Sequence, residues 1–328
     1  MSSSLKSSGI DSNIYDYVGV DVAKDKLDIF ISRNNKFITI ANTKSEITKF
    51  IKQTLSFLDN PLVVCESTGG WERIMLLCLS KHNIASHTAH ASKIYHYAKS
   101  KGVLAKTDKL DAKIIALFAI SEELKPSISV DSTQIELKDL VMRKFQIKEN
   151  LCTELQRQRK YLSSKVKLSI DKSISFYKKE LAKLDKEIND IFDLSDQYTQ
   201  TNKQLKSMKG IGDVTSQTLI VLLPELGKIN KRQIAALTGV APYNCDSGKK
   251  SGRRQIRGGR FEVRNTLYMA SLSAIRYNPI MREYYNKLLD KGKLKKVALI
   301  AVMRKMIIIL NTIIANNTYF EERTMPKT

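Results

Sequence analysis

The sequence lacks the cysteine and histidine spacing that builds a zinc centre. Cys65, Cys78, Cys152 and Cys245 are scattered with no CxxC pair, and His82, His87, His90 and His96 are not spaced to complete a site with them. The thiols read as reduced side chains of a cytoplasmic protein. The opening MSSSLKSSGIDSN is polar and has no apolar stretch of the signal-peptide kind. An apolar run from Val297 to Ile314 is interrupted midway by Arg304 and Lys305, which suits a buried helix better than a membrane span. Acidic residues are the conspicuous deficit, at 33 against 55 Lys and Arg, for a formal charge of +22. Solubility needs far less. The excess implies a polyanionic partner, and nucleic acid is the usual one, because neutralised phosphates release condensed counterions. A membrane surface would instead call for a basic amphipathic helix or a lipidation site.

What is present suffices for real cores. Hydrophobic residues make up 42% of 328, a length that suits two domains and a connector. After a tail predicted to be disordered (1–13), Tyr17–Val22, Leu27–Ser32 and Phe37–Ala41 read as three strands of a meander, with Lys24-Asp25 in the first turn. Thr43 and Glu46 make a capping-box pattern for a helix running to about Phe57. Leu62–Cys65 reads as a buried strand, followed by a Gly69-Gly70 turn and a helix from Trp71. A short strand at Ile84–His87 and helices at Ser92–Lys101 and Thr107–Glu123 complete an α/β domain with a mixed sheet over 14–130. From Thr133 to Gln197 glycine and proline are absent and apolar residues recur at helical spacing. Residues 131–200 are therefore expected to form a long helical hairpin or coiled-coil arm, a spacer or an oligomerisation element. Residues 201–317 form a helical, basic C-terminal region, and 318–328 a tail.

Carboxylates stand at the ends of two expected strands, Asp21 and Glu66, and at the start of a helix, Asp108 and Asp111, three apart and so on one helical face. Carboxyl ends of neighbouring strands open into one crevice. Four carboxylates meeting there would resist ionisation. A hard divalent ion, Mg²⁺ with Mn²⁺ as substitute, relieves that conflict, and a pair of them about 4 Å apart supports phosphodiester cleavage. Singly, each acid also has an ordinary reading: a turn residue for Asp21, dipole-favoured helix residues for Asp108 and Asp111. Glu66 is harder to dismiss, following the apolar run LVVC.

Two further segments are basic. Asp246 to Arg260 carries Gly248, Gly252, Gly258 and Gly259 among Lys249, Lys250, Arg253, Arg254, Arg257 and Arg260, with Arg264 beyond. Glycines let backbone approach phosphate, the cations clamp it, and a serine in such a field is a candidate nucleophile on phosphorus. A flexible loop that only binds the DNA backbone explains the same residues. The segment Leu205 to Thr215, with Lys209, Gly210 and Gly212, has the helix–Gly-x-Gly–helix pattern of a helix-hairpin-helix, whose amides and helix N-terminus face a DNA phosphate. An ordinary interhelical turn competes with it.

In order, the stretches YVGVDVAKDKLDI, VVCESTGGWE, AKTDKLDAKIIA, LKSMKGIGDVTSQTL, AALTGVAPYNCDSGKKSG and RQIRGGRFEVRNTLYMAS resemble the DEDD-type insertion-sequence transposases related to the Piv DNA invertase, across nearly the whole chain. The resemblance implies a RuvC-like (RNase H-like) N-terminal domain, a helical connector and a helical C-terminal transposase domain. It makes Asp21, Glu66, Asp108 and Asp111 a Mg²⁺-binding tetrad and Ser247 the covalent nucleophile, with Ser251 close enough to be its rival. It implies DNA ends and a target as substrates, a non-coding guide RNA as a partner in some members, and assembly as a dimer or tetramer in the prokaryotic cytoplasm, at the nucleoid when active. Lys106, beside the tetrad, joins the nucleic-acid contacts.

The expected activity is metal-dependent strand exchange through a phosphoserine linkage. Two rivals predict different things. A RuvC-like endonuclease using activated water leaves no protein–DNA adduct. A non-catalytic nucleic-acid-binding regulator is indifferent to Mg²⁺.

Overall fold

The chain forms two compact units, Met1–Ser132 and Thr133–Thr328. The computed structural model describes residues 15–103, 107–127, 132–161, 163–244 and 254–321.

In the first unit the expected meander is present as β1 (Asp16–Val22), β2 (Lys26–Ile31) and β3 (Lys36–Ala41), antiparallel throughout. β4 (Pro61–Glu66) and β5 (Ala85–Ala89) continue the sheet in parallel with β1, giving the order β3-β2-β1-β4-β5. The period of two divides each strand between faces. Val18, Val20, Val22, Ile29 and Val63 pack with α1 (Lys44–Gln53) and α2 (Arg73–Lys81). Tyr17, Leu62 and Val64 pack on the other face, with α3 (Ala91–Ser100) and α4 (Asp108–Ser121). The result is three layers. Each fully buried aliphatic side chain in them contributes about 1.5–3 kcal/mol.

Local chemistry sets the helix ends. The Thr43 hydroxyl accepts from the Glu46 amide at 3.5 Å and starts α1, but the helix stops at Gln53, where Leu55–Phe57 turns as a short 3-10 segment. The expected helix to Phe57 is therefore one turn too long; Leu55 is drawn into the core while Phe57 stays exposed. α4 is admitted by a glycine. A Cβ at Gly19 would fall on the Ala112 carbonyl oxygen and stand 2.6 Å from the Ala116 amide nitrogen. Only a bare Cα lets this helix lie directly on β1.

The second unit is helical. α5 (Ser132–Gln158) and α6 (Ser164–Asp193) form the long hairpin expected from the glycine-free stretch. The Lys144–Asp185 ion pair and the Gln158–Asp171 hydrogen bond fall in a single antiparallel register. At its base Leu137, Val141, Ile188 and Phe192 enter the same core as the helices that follow. These are α7 (Asp196–Lys206), α8 (Asp213–Leu222), α9 (Lys231–Leu237), α10 (Phe261–Tyr277), α11 (Pro279–Asp290) and α12 (Lys295–Ala315).

α12 is long and apolar enough to cross a membrane by length and composition. Here Val302, Met303, Met306, Ile307, Leu310 and Ile313 bury a stripe of it in the unit's core, and the Lys305 ammonium lies over the Tyr284 ring. A two-stranded ribbon, β6 (Pro242–Tyr243) with β7 (Gln255–Ile256), flanks the segment that contains Ser247.

Candidate functional site

The face of the sheet beneath α4 carries the acids. On β1, Asp21 follows Tyr17 and Gly19 at the strand period, and on β4 Glu66 follows Leu62 and Val64. α4 is opened by Thr107, whose hydroxyl accepts from the Leu110 amide at 3.3 Å, so Asp108 is its first residue and Asp111 lies one turn on. Because Gly19 brings α4 down onto β1, these acids share one electrostatic neighbourhood. Burial raises the Asp21 carboxyl, and Asp111, Asp108, Asp28 and Glu66 raise it further, to about 6. Each neighbouring negative charge favours its neutral form.

Asp28 is the acid that the sequence reading missed. It is paired directly across from Asp21 in the β1–β2 register. Its side chain is only 7% exposed. Thr39 donates to Asp28 Oδ1 at 2.6 Å, and the Lys26 ammonium lies 2.9 Å from Oδ2. The same ammonium lies 2.6 Å from Asp108 Oδ2, so it bridges β2 and the start of α4. A signal was available: a carboxylate inside a strand otherwise flanked by Leu27, Ile29, Phe30 and Ile31 must have a partner.

The loop after Glu66 is fixed by its own side chains. Burial pushes the Glu72 carboxyl up, but hydrogen bonds from the Thr68 hydroxyl at 2.6 Å and the Gly70 amide at 2.9 Å outweigh it and hold the group below the ordinary range. The Asn42 amide donates both to Ala23 O, after β1, and to Trp71 O, tying the two loops that border the acids. Cys65, one residue before Glu66, is buried and its thiol is pushed up to about 12 by desolvation, so it is inert there.

Carboxylate oxygens are the donors a hard divalent cation takes, and the raised Asp21 carboxyl registers uncompensated charge, but the four acids expected to meet in one crevice do not stand together as a ligand set. Among the described residues, no three His, Cys, Asp or Glu side chains stand close enough together to hold a metal ion. Lys26 supplies part of the compensating charge instead.

In the second unit, α7 and α8 are joined through the Gly210–Gly212 turn, the helix–Gly-x-Gly–helix order expected, with Lys209 exposed. Gly210 is required by packing, since a Cβ there would meet the Ala274 backbone of α10 at 2.7 Å. Gly212, by contrast, is open and is the N-cap of α8, followed by Asp213 in an ion pair with Lys206 at 2.5 Å. Arg260, expected to clamp phosphate, is committed inside the fold. Its guanidinium makes a bidentate pair with Glu225, both contacts at 2.6 Å, and donates to Leu222 O. Arg264 donates to Gly258 O at 2.6 Å, and Gly259 is packed so tightly on Gly239 that no side chain fits. Arg254 and Arg257 are exposed beside β7. Ser247 and Ser251, with Lys106, Lys249, Lys250 and Arg253, lie outside the described residues.

A mixed sheet with acids gathered at its strand ends, joined in sequence to a strongly basic helical unit, defines a protein built to act on nucleic acid. The comparisons agree. A family model described as a DEDD transposase of the IS110 type matches residues 18–166, and one described as "Transposase IS116/IS110/IS902 family" matches 202–286. The pilin gene-inverting protein of Moraxella lacunata is 29% identical over 318 residues, covering 94% of this chain and 98% of that protein. Its counterpart in Moraxella bovis matches to the same extent. An insertion element IS110 protein of 43.6 kDa from Streptomyces coelicolor is 26% identical over 121 residues, 36% of this chain and 30% of that protein. The chain belongs to the DEDD-type transposase family of IS110-like elements and the related Piv invertase.

Proposed function

We propose that the protein cuts and rejoins the ends of an insertion sequence with a target, using the acids of the first unit and Ser247 of the second. The observation that carries this reading is the Asp21 carboxyl, raised to about 6 by burial and by Asp111, Asp108, Asp28 and Glu66 together. A carboxyl whose ionisation is opposed both by burial and by four neighbouring acids is the pattern that functional acidic sites carry. The strand order and directions, with the acids at strand ends beneath one helix, support a RuvC-like (RNase H-like) first unit over 14–130. The α5–α6 hairpin serves as a coiled-coil arm over 131–200 for assembly as a dimer or tetramer, and 201–317 is the transposase domain.

Asp21, Glu66, Asp108 and Asp111 would hold Mg²⁺, or Mn²⁺ in its place. The ion's chemistry is to polarise the phosphoryl oxygens and stabilise the departing one. The chain's own residues do the rest. Ser247 Oγ bonds to phosphorus as the scissile P–O bond breaks, and the proton it gives up ends, through solvent, on the departing oxygen, leaving a phosphoserine linkage and a free DNA hydroxyl. Attack on that linkage by another DNA hydroxyl returns the serine and completes the exchange. Arg254 and Arg257, with Lys106, Lys249, Lys250 and Arg253, hold the backbone of DNA and of a guide RNA, and Lys209 and the open Gly212 N-terminus engage a further phosphate. The setting is the prokaryotic cytoplasm, at the nucleoid.

The test is an adduct trap. The protein is mixed with Mg²⁺, end-containing DNA and co-purified RNA, denatured, and resolved beside Ser247→Ala, Ser251→Ala and Asp21→Asn. An adduct lost in Ser247→Ala and Asp21→Asn but kept in Ser251→Ala is the expected result. Metal-dependent cleavage that is insensitive to Ser247→Ala would replace the reading with hydrolysis by activated water.

A further inference from the structure

We infer that the Lys26 ammonium is a built-in counter-ion of the acidic site, which a divalent cation must displace from Asp108, so that Lys26 sets the metal concentration at which the site fills. The inference rests on the metal-site reading above and extends it to a residue with no part in that reading.

The geometry is asymmetric in a way that matters. Lys26 lies two residues before Asp28 on one strand, so both side chains fall on the α4 face. Asp28 is buried, held by the Thr39 hydroxyl at 2.6 Å, and cannot follow a ligand elsewhere. Asp108 opens a helix, and its side chain is 56% exposed. The ammonium touches both carboxylates, at 2.9 and 2.6 Å. Of the two contacts, the one to Asp108 is therefore the one that can open, while Asp28 keeps Lys26 at hand.

The electrostatics point the same way. Asp108 Oδ2 already carries an ammonium, and a dication drawn to the same oxygen repels that charge at short range. Binding at Asp108 thus costs the Lys26–Asp108 contact. In the metal-free protein Lys26 offsets part of the carboxylate repulsion that would loosen the start of α4 from the sheet. Latch and competitor are one side chain.

The experiment is Mn²⁺ binding to the full chain, followed by calorimetry and by the electron paramagnetic resonance signal of free Mn²⁺, with thermal melting in chelator alongside. The variants are Lys26→Met, which keeps the aliphatic stem, and Lys26→Gln, which keeps donors without charge; Asp21→Asn and Glu66→Gln report whether binding occurs at this site. Expected are binding that is lost in Asp21→Asn and Glu66→Gln, an apparent Mn²⁺ affinity raised roughly three- to tenfold in both Lys26 variants, a lower melting temperature in chelator and a larger rise on adding Mn²⁺. Affinity unchanged or weakened in a folded Lys26→Gln protein would overturn the counter-ion role and leave the metal site standing. Absence of Asp21-dependent Mn²⁺ binding in the unsubstituted protein would overturn the metal-site reading and this inference with it.

Discussion

Gly19 of β1 and Ala112 of α4 meet with no room for a methyl group between them: a Cβ on residue 19 would fall on the Ala112 carbonyl oxygen. The contact sets the height of the helix that carries Asp108 and Asp111 above the strand that carries Asp21. Gly19→Ala is expected to lift α4, destabilise the first unit by about 1–3 kcal/mol as overpacked cores do, and abolish strand exchange more completely than the stability loss alone explains. Thermal melting together with a recombination assay below the melting temperature checks both parts. Full activity in a folded Gly19→Ala protein would separate α4's position from the chemistry.

Asp21 makes a prediction with a definite sign in pH. Its carboxyl titrates near 3.8 in the unfolded chain and at about 6 when folded. The folded state therefore holds a proton that the unfolded state releases between those values, and stability falls as pH rises through that window. Above about pH 6 the whole penalty applies. Asp21→Asn should accordingly stabilise the metal-free protein at pH 7.5, by about 1 kcal/mol once solvent screening is allowed for, and leave stability at pH 4 nearly unchanged, while removing activity. Melting curves in chelator at the two pH values test it, and a variant less stable at pH 7.5 would contradict the repulsion argument.

That prediction also marks how far the sequence could be read. The meander, both parallel strands and the placing of Asp21 and Glu66 on strands and of Asp108 and Asp111 at a helix start were legible, because alternation, apolar runs and the Thr43 cap are local signals. For Asp28 the apolar strand around it signals only that a partner must exist; which partner lies across the sheet, Asp21 on one side and Thr39 on the other. The local pattern of a Gly-x-Gly turn directs Gly210 to phosphate, and a run of glycines and cations directs Gly259 and Arg260 there. The demand for glycine at 210 comes from Ala274, and at 259 from Gly239, contacts distant in sequence that no spacing rule reveals. Charge composition identifies a nucleic-acid protein but cannot tell a cation facing solvent from one consumed by the fold.

Arg260 is the clearest case. Its guanidinium is paired at both ends with Glu225 and caps the Leu222 carbonyl. Glu225 is pushed up by its own burial but held below the ordinary carboxylate range by Arg260, so the pair's contribution is present above the unfolded carboxyl pKa and lost as pH falls through the depressed folded value. Arg260→Ala and Glu225→Gln should each cost about 1–2 kcal/mol in melting experiments near neutral pH. The salt dependence of DNA binding should hardly change in Arg260→Ala, whereas Arg257→Ala should lower that slope by about one ion. A flattened salt slope in a well-folded Arg260→Ala protein would restore Arg260 to the DNA interface.

Asn311 governs the apolar helix α12. Its side chain is buried, accepts from the Gly227 amide at 2.8 Å and donates to the Ile229 carbonyl at 2.9 Å, so it satisfies both polar groups of the turn that leads into α9. The turn cannot move away to find water, because Gly227 is already pressed against Ile314 on the same helix. Asn311→Leu adds apolar character yet leaves an amide and a carbonyl buried without partners, a cost of about 1–3 kcal/mol, or a few degrees of melting temperature in a unit of this size. Asn311→Asp keeps the acceptor for Gly227 but sets a carboxylate against the Ile229 carbonyl, and should be worse than leucine near neutral pH and better at pH 4, where the protonated acid can donate again. Melting both variants at the two pH values decides it. If leucine proved stabilising, α12 would be held by its apolar stripe alone, and the polar clasp at Asn311 would be incidental to the core.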